Sequence, residues 1–486
     1  MRKTFYITTT LPYVNADPHI GFALEIVHAD IIARYKKLMG HEVFFNTGTD
    51  EHGLKIYRKA LEEGKEPQKY VDEYAERFKK ILGPLGILPE INFIRTTDLA
   101  HVEAAQEFWR RASLAGDIYK KKYKIKYCVG CELEKTDSEL ADGKCPIHQN
   151  LVLEIIEEEN YFFRLSKYEG RLLELYKNNP DFVIPQFRLN EILSLIEKKG
   201  LEDFSISRLK SKMPWGVPVP DDSDHVMYVW FDALVSYISA IGWPASAKAT
   251  TGDAAPEGDF EKWWPVVQFA GKDQIRQQAV MWQAMLMSVG LPNSKQIIIH
   301  GFITSGGEKM SKSQGNVVDP LEIVREYNTD ALRFYLARHI HPFEDSDFTM
   351  EKFKEAYNAD LANGLGNLVS RIMKLAETYL EKAPEIPEHS IPQNWKDTLE
   401  KYDIKKAADI VWEEIGKMDA EIQTSKPFEV VKKDKEKGVE IIEQLVVRLY
   451  TVARMLNPIL PETMQKIKDL IKSNKMPVEP LFPRRE

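Results

Sequence analysis

From residue 5 to residue 46 the chain reads strand, loop, helix, strand. This is the repeating unit of a parallel α/β sheet, and it limits the first domain more than any other feature of the sequence. Residues 5–9 are β-branched or aromatic, as a strand requires. A loop with Pro12, Asn15, Asp17 and Pro18 follows. Across 19–39 the positions Ile20, Leu24, Val27, Ile31, Ile32, Tyr35 and Leu38 recur at helical spacing, and Gly40 stops the helix. Residues 42–46 predict a second strand, and 52–63 and 68–83 two charged helices.

The texture changes over 118–150, where short strand-like pieces alternate with turns and hold every cysteine. The α/β pattern returns near Val226, and 296–303 is a strongly apolar strand running into a Gly- and Lys-rich loop at 305–316. The Ala-, Gly-, Thr- and Pro-rich stretch 244–258 predicts an exposed loop. From about 352 onward the pattern is helical, at 352–382, 395–425 and 437–456, with Pro-containing breaks between. The expected architecture is therefore a split α/β domain with a small insertion, followed by a helical bundle. A length of 486 residues suits about three domains, and 43% apolar with 29% charged residues is ordinary for a globular chain.

A net charge of −8 argues against a DNA-coating protein but leaves room for a local RNA-binding patch. No run approaches the roughly 18 apolar residues of a membrane span, and the N-terminus lacks the apolar core of a secretion signal. Three cysteines are too few and too odd for a disulfide framework, so a reducing, cytoplasmic setting is expected. All three lie in Cys128-x2-Cys131-x13-Cys145-x2-His148, the spacing of a tetrahedral four-ligand zinc site. A closed shell of three sulfurs and one nitrogen leaves no open position, so one structural zinc ion per chain is predicted.

Two further elements suit a polyphosphate. The first loop ends in His19-Ile20-Gly21-Phe22 at a helix N-terminus, where free backbone N–H groups and the helix dipole favour an anion. His19 can add a donor, and Gly21 leaves room for a nucleotide to approach. The second is Lys309-Met310-Ser311-Lys312-Ser313, flanked by Gly306, Gly307 and Gly315. Two lysines on a glycine-hinged loop can follow charge that develops in a transition state. Alone, each has a plain structural reading, a capped helix and a solvated basic loop. In this order, on these elements, the pair resembles the HIGH and KMSKS signatures of class I aminoacyl-tRNA synthetases. The second is matched in full. In the first, Phe22 occupies the fourth position and cannot donate a hydrogen bond.

Three stretches resemble the methionyl-tRNA synthetases within that class: Leu11-Pro12-Tyr13 with Asn15, Gly48-Thr49-Asp50-Glu51-His52-Gly53, and Tyr228-Val229-Trp230-Phe231-Asp232-Ala233-Leu234 with Tyr237. The resemblance implies that Asp50 pairs with the substrate ammonium, and that Leu11, Tyr13, Trp230, Ala233, Leu234 and Tyr237 line a pocket for a polarizable thioether. Without it, Trp230 and Tyr237, seven apart, read as core aromatics of one helix. Gly271-Lys272-Asp273 followed by Trp282 extends the match, with Asp273 facing the ATP ribose and Trp282 the pocket. Gln277-Gln278 stands where the pattern often carries a Phe-His pair, so Gln278 is a candidate pocket residue. Ser205-Ile206-Ser207-Arg208 and Pro214-Trp215-Gly216 also match, and Arg208 would help hold the active centre and the lysine loop.

The resemblance implies a fold and a layout. A Rossmann-like catalytic domain occupies 1–115 and 214–325, a connective insertion with the zinc knuckle 116–213, a stem-contact linker 326–355, and an all-α anticodon-binding bundle 356–486. It also implies ATP, L-methionine and tRNA(Met) as partners, and Mg²⁺ accompanying ATP. On the helical tail, Asn367 and Arg371 lie four apart on one face that could read a splayed base. Phe428, in Lys426-Pro427-Phe428, stands where relatives carry a stacking tryptophan. The appended dimerisation module of many relatives is missing, so a monomer is expected. Two rival readings remain. One is a class I enzyme for another apolar amino acid; the leucine, isoleucine and valine enzymes carry editing insertions of about 150–200 residues, against about 100 here. A cysteine enzyme would use its zinc inside the pocket. The other rival is a tRNA-binding relative that no longer activates an amino acid, against which stand His19, Asp50, Lys309 and Lys312.

Overall fold

The computed structural model describes residues 3–131, 133–135, 140–244, 259–310, 316–387 and 391–485. The chain divides into two compact units that interleave along the sequence: Met1–Pro18, Glu42–Lys80 and Glu90–Ile299 form one, and His19–His41, Ile81–Pro89 and His300–Glu486 the other. Of the predicted exposed loop at 244–258, all but Pro244 lies outside the described residues.

The first unit is built on a six-stranded sheet. Its strands lie in the order Asn92–Arg95, Glu42–Thr49, Thr4–Thr8, Val267–Gly271, Gln296–His300 and Val183–Ile184. Thr4–Thr8 pairs in parallel with Glu42–Thr49 on one side and with Val267–Gly271 on the other. The second strand runs three residues past the predicted end at Asn46. Asn-Thr-Gly-Thr carries the composition of a turn, but its polar side chains are satisfied inside. The Thr9 and Thr47 hydroxyls meet at 2.8 Å, and the Asn46 amide donates to Thr8 Oγ1 at 3.3 Å. Gly48 is required there, because a Cβ would sit 1.8 Å from the Ile94 carbonyl oxygen. The longer strand delivers Asp50 to the carboxyl end of the sheet, the end at which open parallel sheets bind ligands.

Of the predicted short pieces and turns over 118–150, the described residues after Cys128 show the strand Leu133–Lys135 and turns, but the first part is corrected. Ile118–Cys128 is one long strand, antiparallel to Glu154–Phe163 over ten residue pairs. The lysine-rich strand reads poorly alone, but it faces a glutamate-rich one, with Lys122 opposite Glu159 and Lys124 opposite Glu157. Cross-strand charge pairs offset what each strand lacks in β-propensity.

In the second unit the helix Ile20–Leu38 forms as predicted. The stretch 326–355 contains the helix Thr329–Arg338 and the strand Ser346–Phe348, which pairs in parallel with Ile303–Ser305. Downstream, the predicted 395–425 helix is two, Gln393–Glu400 and Ile404–Ser425, parted at Tyr402 with φ of +60°. Helices Pro427–Lys433 and Pro461–Ser473 occupy stretches with no predicted element. No helix among the described residues is long and apolar enough to cross a membrane.

A fully buried guanidinium organises this unit. Arg333 donates to Asp30 Oδ2 at 2.6 Å and to the carbonyls of Leu85, Gly86, Pro458 and Ile459. Asp30 also accepts from Arg34 Nε at 2.7 Å and from the Leu88 N–H at 2.8 Å. The break at Asn457–Pro461 thus turns two carbonyls toward the arginine. Replacing Arg333 with leucine removes one of the two arginines paired with Asp30 and leaves four carbonyls without their donor. It should destabilise this unit by about 3–5 kcal/mol, read as a shift in its urea unfolding transition; unchanged unfolding would mean that Arg34 and water replace it.

Candidate functional site

The three stretches singled out in the first unit converge. Tyr13 and Asp50 form a parallel β-bridge. The Asp50 N–H donates to the Pro12 carbonyl at 3.0 Å, and the Asp50 carbonyl accepts from the Val14 N–H at 3.2 Å. Next to it Glu51 is fully buried, held bidentately by Arg95 at 2.7 and 2.8 Å and by the Thr49 hydroxyl at 2.6 Å. Trp215 of the Pro-Trp-Gly stretch donates its indole N–H to the Glu51 carbonyl at 2.7 Å. Backbone and side-chain bonds on both sides therefore fix the position of the Asp50 backbone.

Trp230 and Tyr237 do not share one helix. Trp230 and Ala233 lie on Val229–Ala233, Leu234 caps it, and Tyr237 lies on Ser236–Ser239. Trp230 and Tyr13 each pack against the buried cluster of Tyr127, Tyr228 and Val229. Tyr237, Gln278 and Trp282 come together: the Gln278 side-chain amide donates to the Tyr237 hydroxyl at 2.8 Å, and the Tyr237 and Trp282 rings meet edge to face at 6.0 Å. Gln278 is itself fixed by Gln268, whose Nε2 donates to its Oε1 at 2.8 Å. The glutamine thus orients the tyrosine hydroxyl from a buried position. Leu11 is half-buried, and Asp273 is exposed on the short turn that follows Gly271. Arg208 is buried, donating to Ser205 Oγ and the Ser207 carbonyl at 2.7 Å each, with its guanidinium stacked over Tyr228 at 4.3 Å.

In the second unit His19 is exposed and caps Ile20–Leu38, its Nδ1 accepting the Gly21 N–H at 3.0 Å. In the neutral ring the proton then sits on Nε2, which can donate outward. Gly21 serves this cap, since a Cβ there would lie 2.7 Å from His19 Cε1. The expectation of free backbone N–H groups at this helix start is corrected at two positions: Ile20 donates to the Val318 carbonyl at 3.1 Å and Gly21 to His19, while the Ala23 bond to the His19 carbonyl at 3.1 Å is the first bond of the helix itself. The Ile20 bond joins the helix start to the chain just beyond the lysine loop.

Lys309 lies in the two-residue strand Glu308–Lys309, antiparallel to Ile303–Ser305 across a turn at Gly306 and Gly307 with φ of +63° and +80°. The Asp347 carboxylate holds this turn, accepting from the Gly307 N–H at 2.8 Å and the Thr304 hydroxyl at 3.2 Å. Lys312, with Ser311, Ser313 and Gly315, lies outside the described residues.

The four knuckle residues converge in the first unit. One ligand atom from each of Cys128, Cys131, Cys145 and His148 lies within 4.8 Å of the others. Cys131 Sγ is 3.4 Å from Cys145 Sγ and 3.2 Å from His148 Nδ1. A zinc–sulfur bond of about 2.3 Å spaces tetrahedral sulfurs by about 3.8 Å, so this group can hold zinc through His148 Nδ1. Gly130 admits the ring, since its Cβ would fall 2.6 Å from His148 Cγ.

On the helical tail, Asn367 is exposed at the start of Asn367–Tyr379, and Arg371 on the same helix is ion-paired with Asp419. Phe428, 41% exposed, lies on the separate helix Pro427–Lys433. Sequence reasoning missed two groups. Asp232 is buried between His52 and His101, at 2.6 and 2.8 Å. Within the second unit, His300 Nε2 meets Glu25 at 2.7 Å. Both pairings span more than a hundred residues, which no local pattern reveals.

Comparison with known proteins agrees with this geometry. The chain matches the family described as tRNA synthetases class I (M) over residues 5–154 and 138–373. It is 42% identical to the methionine–tRNA ligase of Thermotoga maritima over 482 residues, 95% of this chain and 74% of that one. It is 40% identical to the methionine–tRNA ligase of Nostoc sp., over 96% of this chain and 89% of that one. Among solved structures it resembles Mycobacterium tuberculosis methionyl-tRNA synthetase in complex with methionyl-adenylate, with a TM-score of 0.90, 34% identity, and coverage of 99% and 100% of the two chains.

If the knuckle holds metal, purified protein should carry close to one zinc per chain by elemental analysis, and Cys131→Ser should carry much less. Equal, low zinc in both would leave the cluster as three reduced thiols.

Proposed function

This chain belongs to the methionyl-tRNA synthetases of class I, and we propose how its residues divide the work of joining methionine to tRNA. The observation that carries the assignment is the doubly pinned Asp50 turn beside the aromatic wall. Asp50 takes the methionine ammonium. Tyr13, Trp230, Ala233, Leu234 and Trp282 enclose the side chain, and the Leu11 N–H and the Tyr237 hydroxyl, oriented by Gln278, face the sulfur. A thioether is soft and packs well against ring edges, which suits this lining.

Asp273 binds the ATP ribose. His19 donates from Nε2 to a phosphate oxygen, Gly21 keeps its ring in place, and Lys309 and Lys312 balance charge developing on the pyrophosphate. Arg208 supports the active centre from its stack on Tyr228. A methionine carboxylate oxygen attacks the α-phosphorus while the bond to the bridging oxygen breaks, giving methionyl-adenylate and pyrophosphate. The terminal ribose hydroxyl of tRNA(Met) then attacks the activated carbonyl, and AMP leaves with the bonding electrons. Positioning and charge stabilisation supply most of the acceleration. Mg²⁺ arrives with ATP, held chiefly by phosphate oxygens.

The zinc is structural and orders the 116–213 insertion. The 356–486 bundle reads the anticodon through Asn367, Arg371 and Phe428, and Arg371 would have to exchange Asp419 for a base. Reduced thiols in the knuckle suit the cytoplasm.

Methionine-dependent ATP–pyrophosphate exchange tests the assignment, run beside leucine, isoleucine, valine and cysteine. Exchange with methionine alone is expected. Exchange with another amino acid would overturn the pocket, and none at all would favour the non-activating reading. Gly21→Ala displaces His19, so the loss of one charge-assisted hydrogen bond should lower exchange by about ten- to a hundredfold; wild-type exchange would remove His19 from the phosphate site.

A further inference from the structure

Behind the aromatic wall, in the same unit, lies a polar cluster that the reaction scheme does not use. Asp232 sits in the helix Val229–Ala233 and is 1% exposed. Its Oδ2 accepts from His52 Nδ1 at 2.6 Å and its Oδ1 from His101 Nε2 at 2.8 Å. His101 is fully buried, and its other ring nitrogen meets Ser239 Oγ at 2.9 Å. Burial pushes the Asp232 carboxyl up, but the two imidazoles outweigh it and hold it down at about 2. The carboxylate is therefore ionised and bonded on both oxygens.

Each contact lands on an element that carries a pocket residue or braces one. His52 is two residues from Asp50 in the pinned turn, and its ring stands 5.6 Å from Trp215. His101 belongs to the sixteen-residue helix Leu99–Leu114. Ser239 belongs to Ser236–Ser239, which carries Tyr237. Within Val229–Ala233, helical geometry puts residue 232 about 200° around the axis from residue 230, away from the side that Trp230 occupies. Helices of five and four residues have no stability of their own, so tertiary anchors set where they lie. Among the described residues, Asp232 is the side chain that bonds both to the Asp50 turn and to the long helix.

We propose that Asp232, with His52 and His101, is a positioning cluster that locks the Asp50 turn to the two short helices, so that the ammonium site and the thioether wall keep a fixed separation. The cluster touches no substrate and acts through the backbone segments it joins. It rests on the methionine pocket assigned above. Its loss loosens methionine binding and leaves ATP binding in place.

The test is the Michaelis constants for methionine and ATP, measured by pyrophosphate exchange on zinc-loaded full-length protein normalised by active-site titration. Asp232→Asn and His101→Ala should each raise the methionine KM tenfold or more, with the ATP KM within twofold and kcat largely kept. Their double variant should exceed neither single by much, because both break one linkage. His101→Gln, whose amide can still donate to Asp232, should recover most of the loss. If Asp232→Asn does not fold, the two His101 variants carry the same comparison. Methionine KM values within twofold of wild type, equal KM in the Gln and Ala variants, or both KM values rising together would overturn the cluster's role. Failure of the pocket assignment would appear separately, as wild-type protein that does not exchange with methionine.

Discussion

The buried carboxylate of Glu51 is the constraint on which the pocket depends. An ionised group taken out of water is tolerated only when its lone pairs are met. Here a bidentate arginine and two threonine hydroxyls meet them, while the Glu51 N–H donates to Thr96 Oγ1 at 2.9 Å. These partners come from the ends of two neighbouring strands, Glu42–Thr49 and Asn92–Arg95, and from the residues just beyond the second. The turn that follows, with Asp50 before Glu51 and His52 after it, inherits a geometry fixed by the sheet. In the role proposed for Asp50, a carboxylate gains from such a base, because its backbone is in place before ligand arrives.

The second unit solves a similar problem in another way. Arg333 buries a planar five-donor group and meets it with four carbonyls and one carboxylate. The carbonyls come from chain breaks, 85–86 and 458–459, whose oxygens would otherwise lack helical partners. A lysine offers three donors on a flexible stem and could not reach the same set. The interior arginine thus converts two irregular segments into fixed attachment points around the helix Ile20–Leu38.

Much of this was legible in the sequence because it is local. The opening strand and helix, the two charged helices after them, and the knuckle spacing all depend on neighbours within a few turns. What was not legible depends on distant partners. The second strand was read to end at Asn46, because a sequence does not reveal that Thr9 will satisfy the Thr47 hydroxyl beyond it. The lysine-rich strand from Ile118 read as fragments because its glutamate-rich mate lies beyond the knuckle. The long tail helix at 395–425 missed its break because Tyr402 takes a left-handed conformation, which a non-glycine residue seldom signals. At the site, resemblance pointed to the residues and geometry explained some of their supports: Gln278 as the brace of Tyr237, Gly21 as the seat of His19.

The start of the Ile20–Leu38 helix carries the argument one step further. Helix N-termini bind anions partly through the first four N–H groups, which lack intrahelical partners. Here the Ile20 N–H is taken by Val318 and the Gly21 N–H by His19, which removes two of those donors. In the proposed scheme phosphate recognition therefore leans on side chains, on Nε2 of His19 and on the two lysines of the loop, with the helix dipole as a fixed background. The bond that uses up the Ile20 donor also ties the histidine's helix to the chain leaving the lysine loop. The same economy bears on Phe22. The cap is completed by His19 and Gly21, so a residue without a polar group at the fourth position leaves the cap intact.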